Sequence, residues 1–143
     1  MRIAFACHLV AITVVGLFGL VYLLRGQFMP YHAEAVAREW EAVEPAFQVL
    51  ILALMRALGG AWLALMLAGL ILLFLPFRQG ARWARRAIPA IGIVAVAAGL
   101  YATILILQNT PASPPWAAAA GCLLLLILGL ILSESGGGDG VED

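Results

Sequence analysis

Lysine is absent from this chain, and its eight arginines are matched by eight acidic residues, so the net charge is zero. No basic face is available to follow a phosphate backbone, which excludes a nucleic-acid binder. Charged residues make up only 11% of the 143, against about 25% in an average globular protein. That is too little to cover a water-soluble surface, and 64% hydrophobic residues exclude disorder. Cysteine is scarce as well. Cys7 and Cys122 form no CxxC motif, and their expected depths differ by about 13 Å, beyond the reach of a disulfide. The chain also lacks Ser-x-x-Lys, HExxH and a Gly-rich phosphate loop. No catalytic residue, metal site or cofactor is expected, and the chain reads as non-enzymatic.

What is present is apolar length. A membrane span needs about 20 mostly apolar residues at about 1.5 Å of rise each. Four stretches meet this requirement: 3–24, 46–77, 88–107 and 116–132. The last two are separated by 108–115, where three prolines and Asn109 give strong turn chemistry. The expected fold is therefore all-α, a compact bundle of four transmembrane helices forming one domain over residues 1–132. Residues 133–143, Gly-rich and acidic, read as a disordered cytoplasmic tail. The first apolar run exceeds a signal-peptide core and lacks a small-x-small site before Arg25, so it is expected to stay in the mature chain.

Arginine placement sets the expected orientation. Arg78, Arg82, Arg85 and Arg86 lie between spans two and three, and Arg2 precedes span one, whereas Arg25 and Arg38 fall on the other side. Both termini and the 78–87 loop are thus expected in the cytoplasm of a multi-pass inner-membrane protein. On the outer side, Ala33, Val36, Ala37, Trp40 and Val43 recur at helical spacing, with Glu34 and Arg38 placed as an i,i+4 pair. Residues 31–44 read as a short amphipathic helix.

Span two is too long for the bilayer, which sets Arg56 near the outer interface. Residues 46–55 then either project outward, covered by Val36, Trp40 and Val43, or re-enter the membrane with a kink at Gly59-Gly60. Arg56 is expected to form a structural ion pair with Glu44. In a functional reading it joins Trp40, Trp62 and Tyr101 around an outer-facing ligand pocket. Tyr31-His32 with nearby carboxylates is too sparse for a metal site and reads as a solvated helix face. His8 reads as a buried, hydrogen-bonded residue. The small-residue stripes Gly60-Ala64-Ala68 and Ala95-Gly99-Thr103 predict that spans two and three pack face to face as an antiparallel hairpin.

The segment from Leu54 to Ala64, with its Arg56-x-x-Gly59-x-x-x-Leu63 pattern, resembles the DoxX-like small bacterial inner-membrane proteins. Phe28-Met29-Pro30-Tyr31-His32 before an acidic segment resembles a subset of those homologues. The likeness covers roughly residues 25–132 and implies a four-helix bundle in a bacterial inner membrane. The leading functional expectation is an accessory or scaffold subunit in the lipid bilayer, associating with other membrane proteins or with itself. The alternative is a binder or carrier of a lipid or small amphiphile around Arg56. A quinone- or haem-linked redox partner comes third.

Overall fold

A computed structural model describes residues 1–135. Its helices are α1 (Arg2–Leu24), α2 (Pro30–Val36), α3 (Pro45–Leu72), α4 (Arg82–Asn109) and α5 (Trp116–Ser135), and the described residues contain no strand. A 3₁₀ turn at Trp40–Ala42 precedes α3, and a π-helical turn at Leu73–Phe77 prolongs it. Pro76 lies inside that turn; without an N–H it cannot complete an α-helical bond, and the ladder widens there. Four helices, including the continuous Pro45–Phe77 segment, are long and apolar enough to cross a membrane. They match the four expected spans. Gly59-Gly60 lies within unbroken α-helix, not at a break.

The lateral arrangement departs from the expected hairpin. α1 sits centrally, packed on α3 and α5, and α4 packs on α5. The order across the bundle is therefore α3–α1–α5–α4, and α3 barely meets α4 although only Arg78–Ala81 joins them. Gly80, at φ +82°, closes that short turn in a conformation costly for any residue with a Cβ.

The reason lies in which glycines meet backbone. A Cβ on Gly19 would come within 2.9 Å of the Gly59 carbonyl oxygen, and a Cβ on Gly59 within 2.7 Å of the Gly19 oxygen. These two glycines let α1 and α3 touch. Gly16 is likewise filled by the side chain of Met66. By contrast, a Cβ on Gly60 or on Gly99 would meet nothing within 4 Å. The stripes expected to join spans two and three hold no helix contact at these glycines. On α4, Gly92 takes the side chain of Leu126 instead, which fixes α4 to α5.

Three apolar clusters run along the bundle. At the arginine-rich end, Leu73 and Phe77 of the π turn pack on Ala4, Ile12, Ala84 and Ile88. In the middle, Ala11, Val96, Cys122 and Leu126 join α1, α4 and α5. At the α2 end, Tyr22, Phe28 and Met55 gather Trp40, Val43 and Trp62. His8 is fully buried beside Phe77 and Gly129, but among the described residues neither ring nitrogen has a hydrogen-bond partner, which corrects the expectation of a hydrogen-bonded residue.

The outer segment is shorter than expected. α2 starts on Pro30 and stops at Ala37, which takes the left-handed conformation at φ 51° and ψ 40°. For an alanine that conformation costs about 1–2 kcal/mol, yet it turns the chain so that Trp40 can reach Phe28, at 5.0 Å between ring centroids. Arg38 therefore falls outside the helix, and Glu34 accepts a hydrogen bond from the Ser113 N–H (3.3 Å) instead of pairing with it. At the far end, α5 continues to Ser135, past the expected limit at 132. There Glu134 accepts two hydrogen bonds from Arg86, at 3.0 and 3.1 Å, joining the start of α4 to the end of α5. The rest of the tail expected to be disordered, 136–143, lies outside the described residues.

Candidate functional site

Because α3 and α4 do not close on each other, a gap remains between them, with α1 and α5 as its floor. At the α2 end it widens into a cavity of about 550 Å³, within the range of about 300–1,000 Å³ typical of small-molecule sites. A smaller void of about 50 Å³ continues toward the arginine-rich end along the same two helices. One wall comes from Met55, Leu58 and Trp62 of α3, the other from Ala95, Gly99 and Thr103 of α4. The stripe Ala95-Gly99-Thr103, expected to press against span two, therefore makes room instead. A stripe of small residues permits either close approach or open space.

α2 roofs the cavity. Pro30 begins it, where a missing N–H costs nothing, and the aromatic run Phe28 to His32 turns inward. Two contacts hold the roof at its margins: the Glu34–Ser113 bond and the 2.8 Å bond that the Gln48 side chain donates to the Trp40 carbonyl. Beneath it, the Tyr22 and Tyr31 hydroxyls are hydrogen-bonded to each other. The His32 ring lies edge-on to Tyr31, Tyr22 and Phe28, at 4.4, 6.2 and 6.5 Å. Tyr31-His32 is thus part of a cavity lining, not the solvated face expected.

These polar groups are uncharged. Burial holds the His32 imidazole below its usual value. Burial first, and the neighbouring Tyr22 hydroxyl next, push the Tyr31 phenol above its usual range. The Met29 N–H donates to His32 Nδ1 at 3.4 Å, which leaves the ring proton on Nε2. Among the described residues no acceptor pairs with that Nε2–H. Across the cavity, the Thr103 hydroxyl donates back to the Gly99 carbonyl at 2.8 Å. Among the described residues no Arg, Asp or Glu belongs to the lining.

Of the residues expected at a pocket, only Trp62 lines this one. Trp40 stands behind the wall, edge-on to Phe28. Tyr101 is 65% exposed on the outside of α4, and Arg56 is exposed on α3 away from the lining. The Arg56–Glu44 pair does not form: among the described residues, the one salt bridge joins Arg86 and Glu134. The reason is geometric. Glu44 is the residue just before α3, so it stands about 18 Å from Arg56 along one helix axis, at about 1.5 Å per residue. The cover expected over residues 46–55 reaches only Ile51 and Met55, while Val49 remains 70% exposed.

Tyr22, Tyr31, His32 and Gly99 are the site residues that sequence reasoning missed. For Tyr22, Tyr31 and His32 the signal is the density of aromatics from Tyr22 to Trp40, high for the end of one span and the loop after it; for Gly99 the sequence holds none beyond its place in a small-residue stripe. No three His, Cys, Asp or Glu side chains are grouped for a metal ion among the described residues. Comparison with family models, curated proteins and solved structures returns no match.

Proposed function

We propose that this protein binds or carries a small lipid or amphiphile, held between α3 and α4 beneath α2. The observation that carries this reading is the cavity of about 550 Å³, its walls apolar but for the Trp62 indole N–H and the Thr103 hydroxyl bonded to Gly99, with a cluster of two phenols and an imidazole beneath its roof. The site is centred on Tyr22, Tyr31, His32 and Trp62, displaced from Arg56 and Tyr101. Its gap lies between two membrane-length helices, so a molecule dissolved in the bilayer can enter from the side. The reading describes a binder, not a catalyst, and the apolar lining supports it. The arginines at 78–86 support an orientation with that end and both termini in the cytoplasm. The DoxX-like resemblance supports the bacterial inner membrane as its location.

The alternative of an accessory subunit is favoured by Phe47, Val49, Leu50 and Leu54, which leave an apolar strip exposed at the start of α3. One preparation tests both. The protein is purified in mild detergent and examined by native mass spectrometry beside Gly99→Phe, whose new side chain enters open space in the cavity. The binding reading expects a retained small molecule on the wild type and its loss from a stably folded Gly99→Phe. Equal retention by both, or none by either, contradicts it. Co-purification of a second membrane protein favours the subunit reading.

A further inference from the structure

The roof of the cavity constrains the ligand's head more closely than the walls constrain its tail. Two protons are free to be given there. One is on His32 Nε2, since Nδ1 is occupied by the Met29 N–H. The other is a phenol proton, because the Tyr22–Tyr31 bond consumes only one of the two. The phenol oxygens can also accept. Apart from the Trp62 indole N–H, a further uncharged donor, everything else that meets the head is aromatic or aliphatic: Phe28 and the Trp62 ring beside the two tyrosines, Ala35 and Val36 above. Among the described residues no charged side chain lines the cavity to neutralise an ionic head, and a charge buried without a partner is strongly disfavoured. The rings do not form an open cage for a cation either. Tyr22 and Trp62 lie 5.2 Å apart and Phe28 and Trp40 5.0 Å apart, each ring packed on its neighbour.

We infer that the ligand is an amphiphile with an uncharged, hydrogen-bond-accepting head, such as a hydroxyl, ester or carbonyl group, seated against Tyr22, Tyr31 and His32 with its apolar tail along α3 and α4. This rests on the binding reading above and selects, within it, neutral lipids over anionic or cationic ones.

The test compares three molecules with the same oleyl-length tail: monoolein, oleate and oleylamine. Each is titrated onto the full chain in one detergent at about pH 9, where the carboxylate is ionised, and bound fractions are read by native mass spectrometry. Monoolein is expected to bind at least about tenfold more tightly than either charged molecule. Tyr31→Phe keeps the ring and removes one hydroxyl, and it is expected to weaken monoolein about three- to tenfold without altering the weak oleate signal. If oleate or oleylamine binds as tightly as monoolein, the inference about the head is overturned while the cavity remains a binding site. If Tyr31→Phe leaves monoolein unchanged, the head is not seated at the roof. If none of the three binds, the binding reading itself falls.

Discussion

Gly59 and Gly60 are neighbours on α3, and alanine at the two positions should act in opposite directions. At Gly59 the new Cβ would lie 2.7 Å from the Gly19 carbonyl oxygen and 2.7 Å from the Leu23 amide nitrogen. Both are backbone atoms, so no rotamer change relieves the contact and α1 must move off α3. Overpacking of this kind costs about 1–3 kcal/mol, and a backbone obstacle places it near the upper end. Alanine returns about 1 kcal/mol of helix propensity, leaving a net loss of about 1–2 kcal/mol. At Gly60 the Cβ meets nothing within 4 Å, so only the propensity gain of up to about 1 kcal/mol remains. The two variants should therefore differ by about 2–3 kcal/mol, or roughly 6–9 °C in Tm for a chain of this size. Thermal unfolding of both variants beside wild type, in one detergent, measures the difference. If Gly59→Ala is as stable as Gly60→Ala, α1 and α3 do not touch at this point and the order of helices across the bundle is wrong.

His8 is fully buried with two unpartnered nitrogens. His8→Leu should raise stability by about 1–2 kcal/mol, because removing a stranded polar group outweighs the change in shape; a loss in the same thermal assay would show that the imidazole is doing something the packing does not reveal. His32 contributes a pH dependence of definite sign. Its folded-state pKa is lowered by burial, so the unfolded chain takes the proton first, and stability that is intact above about pH 6.5 is lost as the pH falls below it. The Tm advantage of wild type over His32→Gln should therefore shrink between about pH 7.5 and pH 5.5, and an advantage that grows on acidification would contradict the burial of His32.

The four spans were legible because hydropathy and length suffice to define them, whatever the helices pack against. Their lateral order was not. Gly59 and Gly60 are adjacent glycines in one helix, and only the presence of Gly19 opposite one of them decides which is a contact. The same ambiguity hid the cavity, since Ala95, Gly99 and Thr103 suit an open wall as well as a close crossing. The end of α2 is not legible for a different reason: apolar residues continue at helical spacing to Val43, and nothing about alanine marks position 37 as left-handed. Arg56 is an isolated charge in an apolar run. Its expected partner Glu44 was assigned to a separate helix, whereas Pro45 starts α3 directly after it.

The central claim, that a small amphiphile occupies the space between α3 and α4, is tested most directly by photolabelling. A long-chain alcohol bearing a diazirine on its tail is added to the protein in bilayers, irradiated, and the attachment sites are mapped by peptide mass spectrometry. The account predicts adducts concentrated on Met55, Leu58 and Trp62 of α3 and on Gly99, Ala102 and Thr103 of α4, all of which line the cavity, and their loss in Gly99→Phe. Adducts spread instead over the outward faces, at Leu67, Val94 and Tyr101, and unchanged by Gly99→Phe, would mean that the probe sees only surrounding lipid and that the cavity holds no ligand.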